Sequence, residues 1–160
     1  MNKNEIEVTD KIKNKVYKNF INFTDRADIG DSYNFGALKN DKPFVSRILK
    51  SKVKEKGKIR SILEISFEIE IPSKSTEKGR SKSIKKHILK LLVTLENQNQ
   101  YLEFNLDYEN KSLNHILQVE FNLENKITET ESDDLSGIIK RKFDPEYDLS
   151  LIHISEPTRR

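Results

Sequence analysis

Residues 63–71 constrain the fold more than any other stretch of the chain. Leu63, Ile65, Phe67, Ile69 and Ile71 alternate without a break with Glu64, Ser66, Glu68 and Glu70. In a helix these apolar side chains would scatter around the axis. An extended chain gathers them all on one face and sets the polar ones on the other. A one-sided strand of this kind needs a second layer over its apolar face, while its acidic face suits water. Pro72 cannot donate to a ladder and ends the run.

The rest of the chain supplies partners for that strand. Residues 5–23 read as a hairpin, with 16–23 as its second arm and Asp10 and Asn14 in the turn, where their side chains bond to nearby backbone. Residues 24–43 read as a long irregular loop closed by Pro43. A second hairpin spans 44–71, turning at 54–58 around Gly57. Residues 72–86 are basic, small and polar and read as a solvated loop. No aromatic residue lies among their charges, so bases have nothing to stack on. Three further strands follow at 88–95, 101–108 and 116–123. Their expected inward sets are Leu89, Leu91, Val93 and Leu95; Leu102, Phe104, Leu106 and Tyr108; and Leu117, Val119, Phe121 and Leu123. Residues 126–148 form an acidic, irregular segment holding a short run from Gly137 to Phe143. With no amphipathic helix, the pattern predicts an all-β, antiparallel sandwich, with Phe67, Phe104, Val119 and Phe121 buried.

Composition sets the limits. Hydrophobic and charged residues each make up 34% of the 160 residues and mean hydropathy is −0.73, so the core is modest. The apolar residues are grouped into alternating runs, which favours a folded β protein over a disordered one. A net charge of +3 with both signs mixed leaves nucleic acid no electrostatic footprint. The absence of cysteine excludes disulfides, thiolate nucleophiles and cysteine-based zinc sites. No apolar run is long enough for a membrane span, and residues 1–10 lack an apolar signal-peptide core. A chain starting at Met1 is therefore expected in the cytoplasm; in a fragment, Met1 is an internal methionine and says little.

A catalytic constellation is not legible. No nucleophile elbow, phosphate-cradling glycine loop or zinc-protease motif is present. His115 heads a strand and reads as a structural hydrogen-bonder, while His87 sits beside Lys85 and Lys86, which disfavours a cation site. The segment with functional character runs from Asp25 to Gly36. Its carboxylates, Arg26 and Asn34 can bond hydroxyl groups, and Tyr33 and Phe35 offer flat apolar faces, the combination a sugar requires. Asp28, Asp31, Tyr33 and Asn34 are the candidate substrate-binding residues; Gly30 permits a positive φ that would turn both carboxylates to one side. The same residues also make a structural turn held by Asx bonds. The sequence leaves both readings open. No catalytic or metal-ligating residue is assigned.

Two resemblances complete the reading. The stretch from Leu149 to Arg159 resembles the conceptual translation of a sequencing-library adapter, so residues 149–160 are set apart as an artefact tail, with His153 and Glu156 given no weight. Thr9-Asp-Lys-Ile-Lys-Asn-Lys-Val-Tyr17, then Asp28, Gly30, Asp31 and Tyr33, and farther on Asn110, His115, Leu117, Val119 and Phe121 resemble, in order and spacing, the region after the catalytic domain of glycoside hydrolase family 38 α-mannosidases of bacterial and cytosolic type. The basic 72–86 loop departs from that pattern. The resemblance implies that residues 1–148 are part of a C-terminal, galactose-mutarotase-like supersandwich. It also implies a retaining, zinc-dependent parent enzyme whose metal ligands and carboxylates lie on an N-terminal barrel preceding this chain. The expected partners are that barrel and an α-mannoside, with neither nucleic acid nor membrane. No cofactor is expected in this piece, which on its own should be inactive. A stand-alone carbohydrate-binding or structural β-sandwich module is the alternative.

Overall fold

The computed structural model describes residues 5–31, 33–123, 128–135 and 137–142. Among them every regular element is a strand. In chain order these are β1 (Val8–Asp10), β2 (Lys15–Tyr17), β3 (Ile21–Ala27), β4 (Phe44–Val45), β5 (Arg47–Lys56), β6 (Arg60–Pro72), β7 (Ser75–Thr76), β8 (Gly79–Arg80), β9 (Ile84–Glu96), β10 (Glu103–Tyr108), β11 (His115–Phe121), β12 (Glu129–Asp134) and β13 (Gly137–Lys142). A four-stranded sheet runs β10-β9-β6-β5 and a three-stranded sheet runs β11-β3-β4; β1–β2, β7–β8 and β12–β13 form ribbons. All of these pairings are antiparallel.

The alternation of 63–71 governs the core. β6 and β9 pair with Phe67 opposite Leu89 and Ile65 opposite Leu91, so the odd-numbered residues of both strands share one face. Ile65, Phe67, Ile69, Ile71, Leu89 and Leu91 are buried there against Ile21 and Phe23 of the second sheet. The Phe23 and Phe67 rings meet edge to face with centroids 4.9 Å apart, a favoured quadrupolar geometry. The opposite face of β6 carries ion pairs from Glu68 to Arg47 and Lys86, and from Glu64 to Lys54.

Several expectations are corrected. The arm expected at 16–23 breaks after Tyr17, with Asn19 in the left-handed region at φ 47°, and β3 turns away to pair with β11 instead of β1. β3 then continues to Ala27, so the irregular loop starts at Asp28. The basic 72–86 segment holds the β7–β8 ribbon, and Ser75 within it is buried. β9 begins at Ile84, earlier than expected, while Leu95 at its far end is half exposed. Leu106, Val119, Phe121 and Leu123, all expected inside, are exposed as well. Leu106 lies on β10 and Val119 and Phe121 on β11, the edge strands of their sheets, so neighbours cover them from one side only. Phe121 and the half-buried Phe104 instead join Phe20 in a satellite aromatic cluster, each ring 5.6 Å from Phe121. The acidic stretch after residue 126 includes a paired strand, β12, whose Glu131 meets Lys140 of β13 at 2.7 Å. Phe143 and the 149–160 stretch lie outside the described residues.

Candidate functional site

β3 brings an unusual set of residues to the core face. Its inward positions are Ile21, Phe23, Asp25 and Ala27, so the period that buries two apolar side chains also buries a carboxylate. β11 pairs His115 with Ala27 and Leu117 with Asp25, and β9 adds His87 two residues before Leu89. One end of the interlayer space is therefore polar. A charge there is tolerated only if it is paired and hydrogen-bonded.

Arg80 of β8 supplies the pairing. Its Nη1 donates to Asp25 Oδ1 at 2.5 Å, while Nε and Nη2 donate to the two oxygens of Asp41, each at 2.8 Å. The Phe44 ring covers the guanidinium at 5.1 Å. Asp25 is fully buried and the Arg80 side chain is 9% exposed. On the other side of Asp25, His115 Nδ1 lies 2.5 Å from Oδ2, and His115 Nε2 lies 2.9 Å from Asn110 Oδ1. That Asn110 oxygen also accepts the Ser112 N–H, which fixes it as an acceptor and His115 Nε2 as the donor. His87 is arranged differently. Its Nε2 accepts the Lys111 N–H at 3.1 Å, so its proton sits on Nδ1, which faces the Lys85 carbonyl at 3.1 Å. Burial above all, with His115 nearby, pushes His87 down against the opposing Lys85 bond, which keeps it neutral. Burial, then the Asp25 charge, pushes the Tyr108 phenol up to about 12.

The loop from Asp28 to Pro43 rises from this cluster. Asp28 Oδ1 accepts the N–H groups of Gly30 at 3.0 Å and Gly36 at 2.9 Å, and Asp31 Oδ1 accepts those of Tyr33 and Asn34, each at 2.8 Å. The bonds to Gly30, Tyr33 and Asn34 are Asx-type turns, while the Asp28 bond to Gly36 closes the loop on itself. Gly30 is needed for close approach, not for the positive φ expected of it: a Cβ there would lie 1.8 Å from the Asn34 carbonyl oxygen, and among the described glycines only Gly79 and Gly137 have positive φ. Tyr33 projects outward, 87% exposed, and Asn34 is half-buried. The loop's return leg, with Arg26, Phe35 and Leu38, lines a cavity of about 290 Å³. Arg26 Nε is buried with no hydrogen-bond partner among the described residues.

Of the expected site residues, Asp28, Asp31, Tyr33 and Asn34 thus share one loop, with Asp28 and Asp31 each holding loop amides. Sequence reasoning missed the cluster beneath: Asp41 and Arg80 altogether, and the burial of Asp25 and His87. His115 does form the structural hydrogen bonds read for it. The signal was present. The alternation of β3 and β9, extended past the apolar residues, lands on Asp25 and His87. Asp41 also predicts acid behaviour. Burial alone would raise its carboxyl, but the Arg80 guanidinium and the Ala27 amide outweigh that and hold it below the ordinary 3.8. A lowered folded-state value means the stabilisation is complete above about pH 3.8 and is lost as pH falls below it. A thermal midpoint measured against pH should fall in that acid window, and Asp41→Asn should flatten the fall.

Comparison with known proteins places this geometry. The family model for the glycosyl hydrolases family 38 C-terminal domain matches residues 1–156. Among solved structures, the chain is similar to an alpha-mannosidase from Enterococcus faecalis V583, with a TM-score of 0.78, 18% identity, and coverage of 86% of this chain and 18% of that one. It is also similar to a glycosyl hydrolase family 38 protein from Enterococcus faecalis, with a TM-score of 0.77, 19% identity, and coverage of 85% and 18%. No curated protein matches the chain. At this identity the solved structures speak for the fold, an antiparallel β-sandwich, and the chain spans under a fifth of their length.

Proposed function

The chain belongs to the glycosyl hydrolase family 38 C-terminal domain family, and from that membership we propose that it is the non-catalytic β region of a retaining α-mannosidase. The family match over residues 1–156 is the observation that carries this reading. In the proposed parent, a catalytic barrel holds the nucleophile and the acid/base carboxylate of the retaining mechanism. This piece braces that barrel and borders the sugar through the loop bearing Asp28, Asp31, Tyr33 and Asn34. On its own it is inactive.

Three features support the loop's part. Tyr33 presents its ring to the outside, as a platform for a sugar face would. The loop is preorganised by its own carboxylates, which lowers the ordering cost of binding. Arg26 leaves a donor beside the adjoining cavity. Zinc, which the family resemblance implies for the catalytic domain, finds no group of three His, Asp or Glu ligands among the described residues, and His87 and His115 have their ring nitrogens engaged. No step is assigned to a metal here. We place the parent in the cytoplasm; among the described residues no helix is long and apolar enough to cross a membrane. The 149–160 stretch is proposed to add nothing to the fold.

Asp31→Asn and Tyr33→Phe test the reading in a full-length parent enzyme. Asparagine keeps an oxygen for the Tyr33 and Asn34 amides, and phenylalanine keeps the ring, so both changes spare the turn. Each is expected to lower kcat/KM by ~10–100-fold, the scale of one or two charged hydrogen bonds, with the thermal midpoint unmoved. The rival reading, a purely structural turn, draws on the occupied Oδ1 atoms of Asp28 and Asp31. Since both changes spare the turn, it predicts normal kcat/KM in both variants.

A further inference from the structure

The loop carrying Asp28, Asp31, Tyr33 and Asn34 has two stems, Ala27 at the end of β3 and Asp41 on the return leg. The Asp41 carboxylate staples them together, since its Oδ2 accepts the Ala27 N–H at 2.7 Å. That staple is held in turn by Arg80. The guanidinium grips both Asp41 oxygens in a fork and reaches Asp25, which is fixed to β11 through His115. The β8 ribbon that carries Arg80 is itself anchored next to β11: the Asn114 side chain donates to the Ser75 carbonyl at 2.9 Å, and the Asn114 carbonyl accepts the Asp28 N–H at 3.1 Å. From core to loop tip the chain of bonds is therefore continuous.

We propose that Arg80 is a positioning residue for the 28–41 loop: its fork on Asp41 and its bond to Asp25 fix where the loop's exposed side chains stand relative to both sheets. Three features argue for positioning over simple stabilisation. Buried ion clusters contribute little net stability compared with apolar packing of the same volume, whereas a bidentate guanidinium fixes direction. Phe44 closes one face of the guanidinium and the two carboxylates take its edges, so it has one well-defined pose. Besides the Arg80–Asp41 fork, the loop's ends are tied to the strands by the Asp28–Asn114 bond and by the Asp41 carboxylate on the Ala27 amide, both at its base.

Arg80→Lys is the decisive variant. Lysine keeps the charge and lies near both carboxylates, but a single ammonium cannot reproduce the fork. In this chain, amide exchange followed by NMR should quicken at least tenfold at Gly30, Tyr33, Asn34 and Gly36 relative to Phe67 and Leu89 in the central sheet. Asp41→Asn, which keeps one acceptor for the Ala27 amide, should do the same and serves if Arg80→Lys fails to fold. Equal acceleration in loop and sheet, or an unmoved loop, overturns the proposal. A kinetic arm rests on the sugar-bordering reading and separates the two ideas. In the parent enzyme, Arg80→Lys should lower kcat/KM about tenfold alone and add nothing in the Asp31→Asn background, because both act through one loop. Full additivity overturns positioning through the loop. If Asp31→Asn has no kinetic effect while the loop amides do quicken, Arg80 positions the loop and the sugar reading is the one that fails.

Discussion

Phe67→Ala is expected to destabilise the chain by ~3–5 kcal/mol, the range for removing a fully buried phenylalanine. Phe67 is 1% exposed at the centre of β6, with Leu89 beside it across the ladder and the Phe23 ring against it from the other sheet. Truncation opens a cavity between two paired layers, and neither can collapse into it without breaking its own ladder. It also removes an edge-to-face ring pair that adds roughly 0.5–1.5 kcal/mol beyond area. Phe121 provides the control. It is 46% exposed on an edge strand, so its truncation should cost well under half as much. Urea unfolding of the two variants measures the contrast directly. Equal losses at the two positions would show that the interlayer core is not where the alternation of β6 places it.

That contrast shows where a sequence reading succeeds and where it stops. Strict alternation identifies a strand and its buried face, and for β6 and for Leu89 and Leu91 of β9 this was sufficient. Alternation does not say which strands end up at a sheet edge, because pairing order is a long-range property. Val119 and Phe121 have the same period as Phe67 and lack only the neighbours. β3 was harder to see because Asn22, Thr24, Asp25 and Arg26 dilute its apolar residues. A reading that scores hydrophobicity rejects a strand with a carboxylate on its inward face, unless it also finds the partner. Here the partner is Arg80, 55 residues away in a segment whose other charges are solvated. The loop's residue types were legible, but the amides that occupy its carboxylates were not, since they depend on where Gly30 and Gly36 let the backbone close.

Asp25 is where the buried cluster can be tested most severely. The carboxylate is wholly inaccessible; one oxygen accepts from Arg80 and the other lies against His115 Nδ1, each contact at 2.5 Å. Asp25→Asn preserves shape and volume, so packing is unchanged and only the electrostatics differ. The amide oxygen can still accept from Arg80, but it brings no charge to the guanidinium. The substitution also removes one of the two negative charges that surround the guanidinium, leaving Asp41 alone to offset it. Removing one partner of a buried ion pair typically costs ~3–5 kcal/mol, because the surviving charge keeps its desolvation penalty and loses its compensation. The expected result is a fall of that size in unfolding free energy. Arg80→Met added to Asp25→Asn should cost less than the sum of the two single changes, because both remove the same ion pair, so the two are strongly non-additive. A loss below about 1 kcal/mol for Asp25→Asn alone would be that of an exposed ion pair. It would mean that water reaches the cluster and that the polar end of the core is open, with Arg80 then no longer held in a single pose above Asp41.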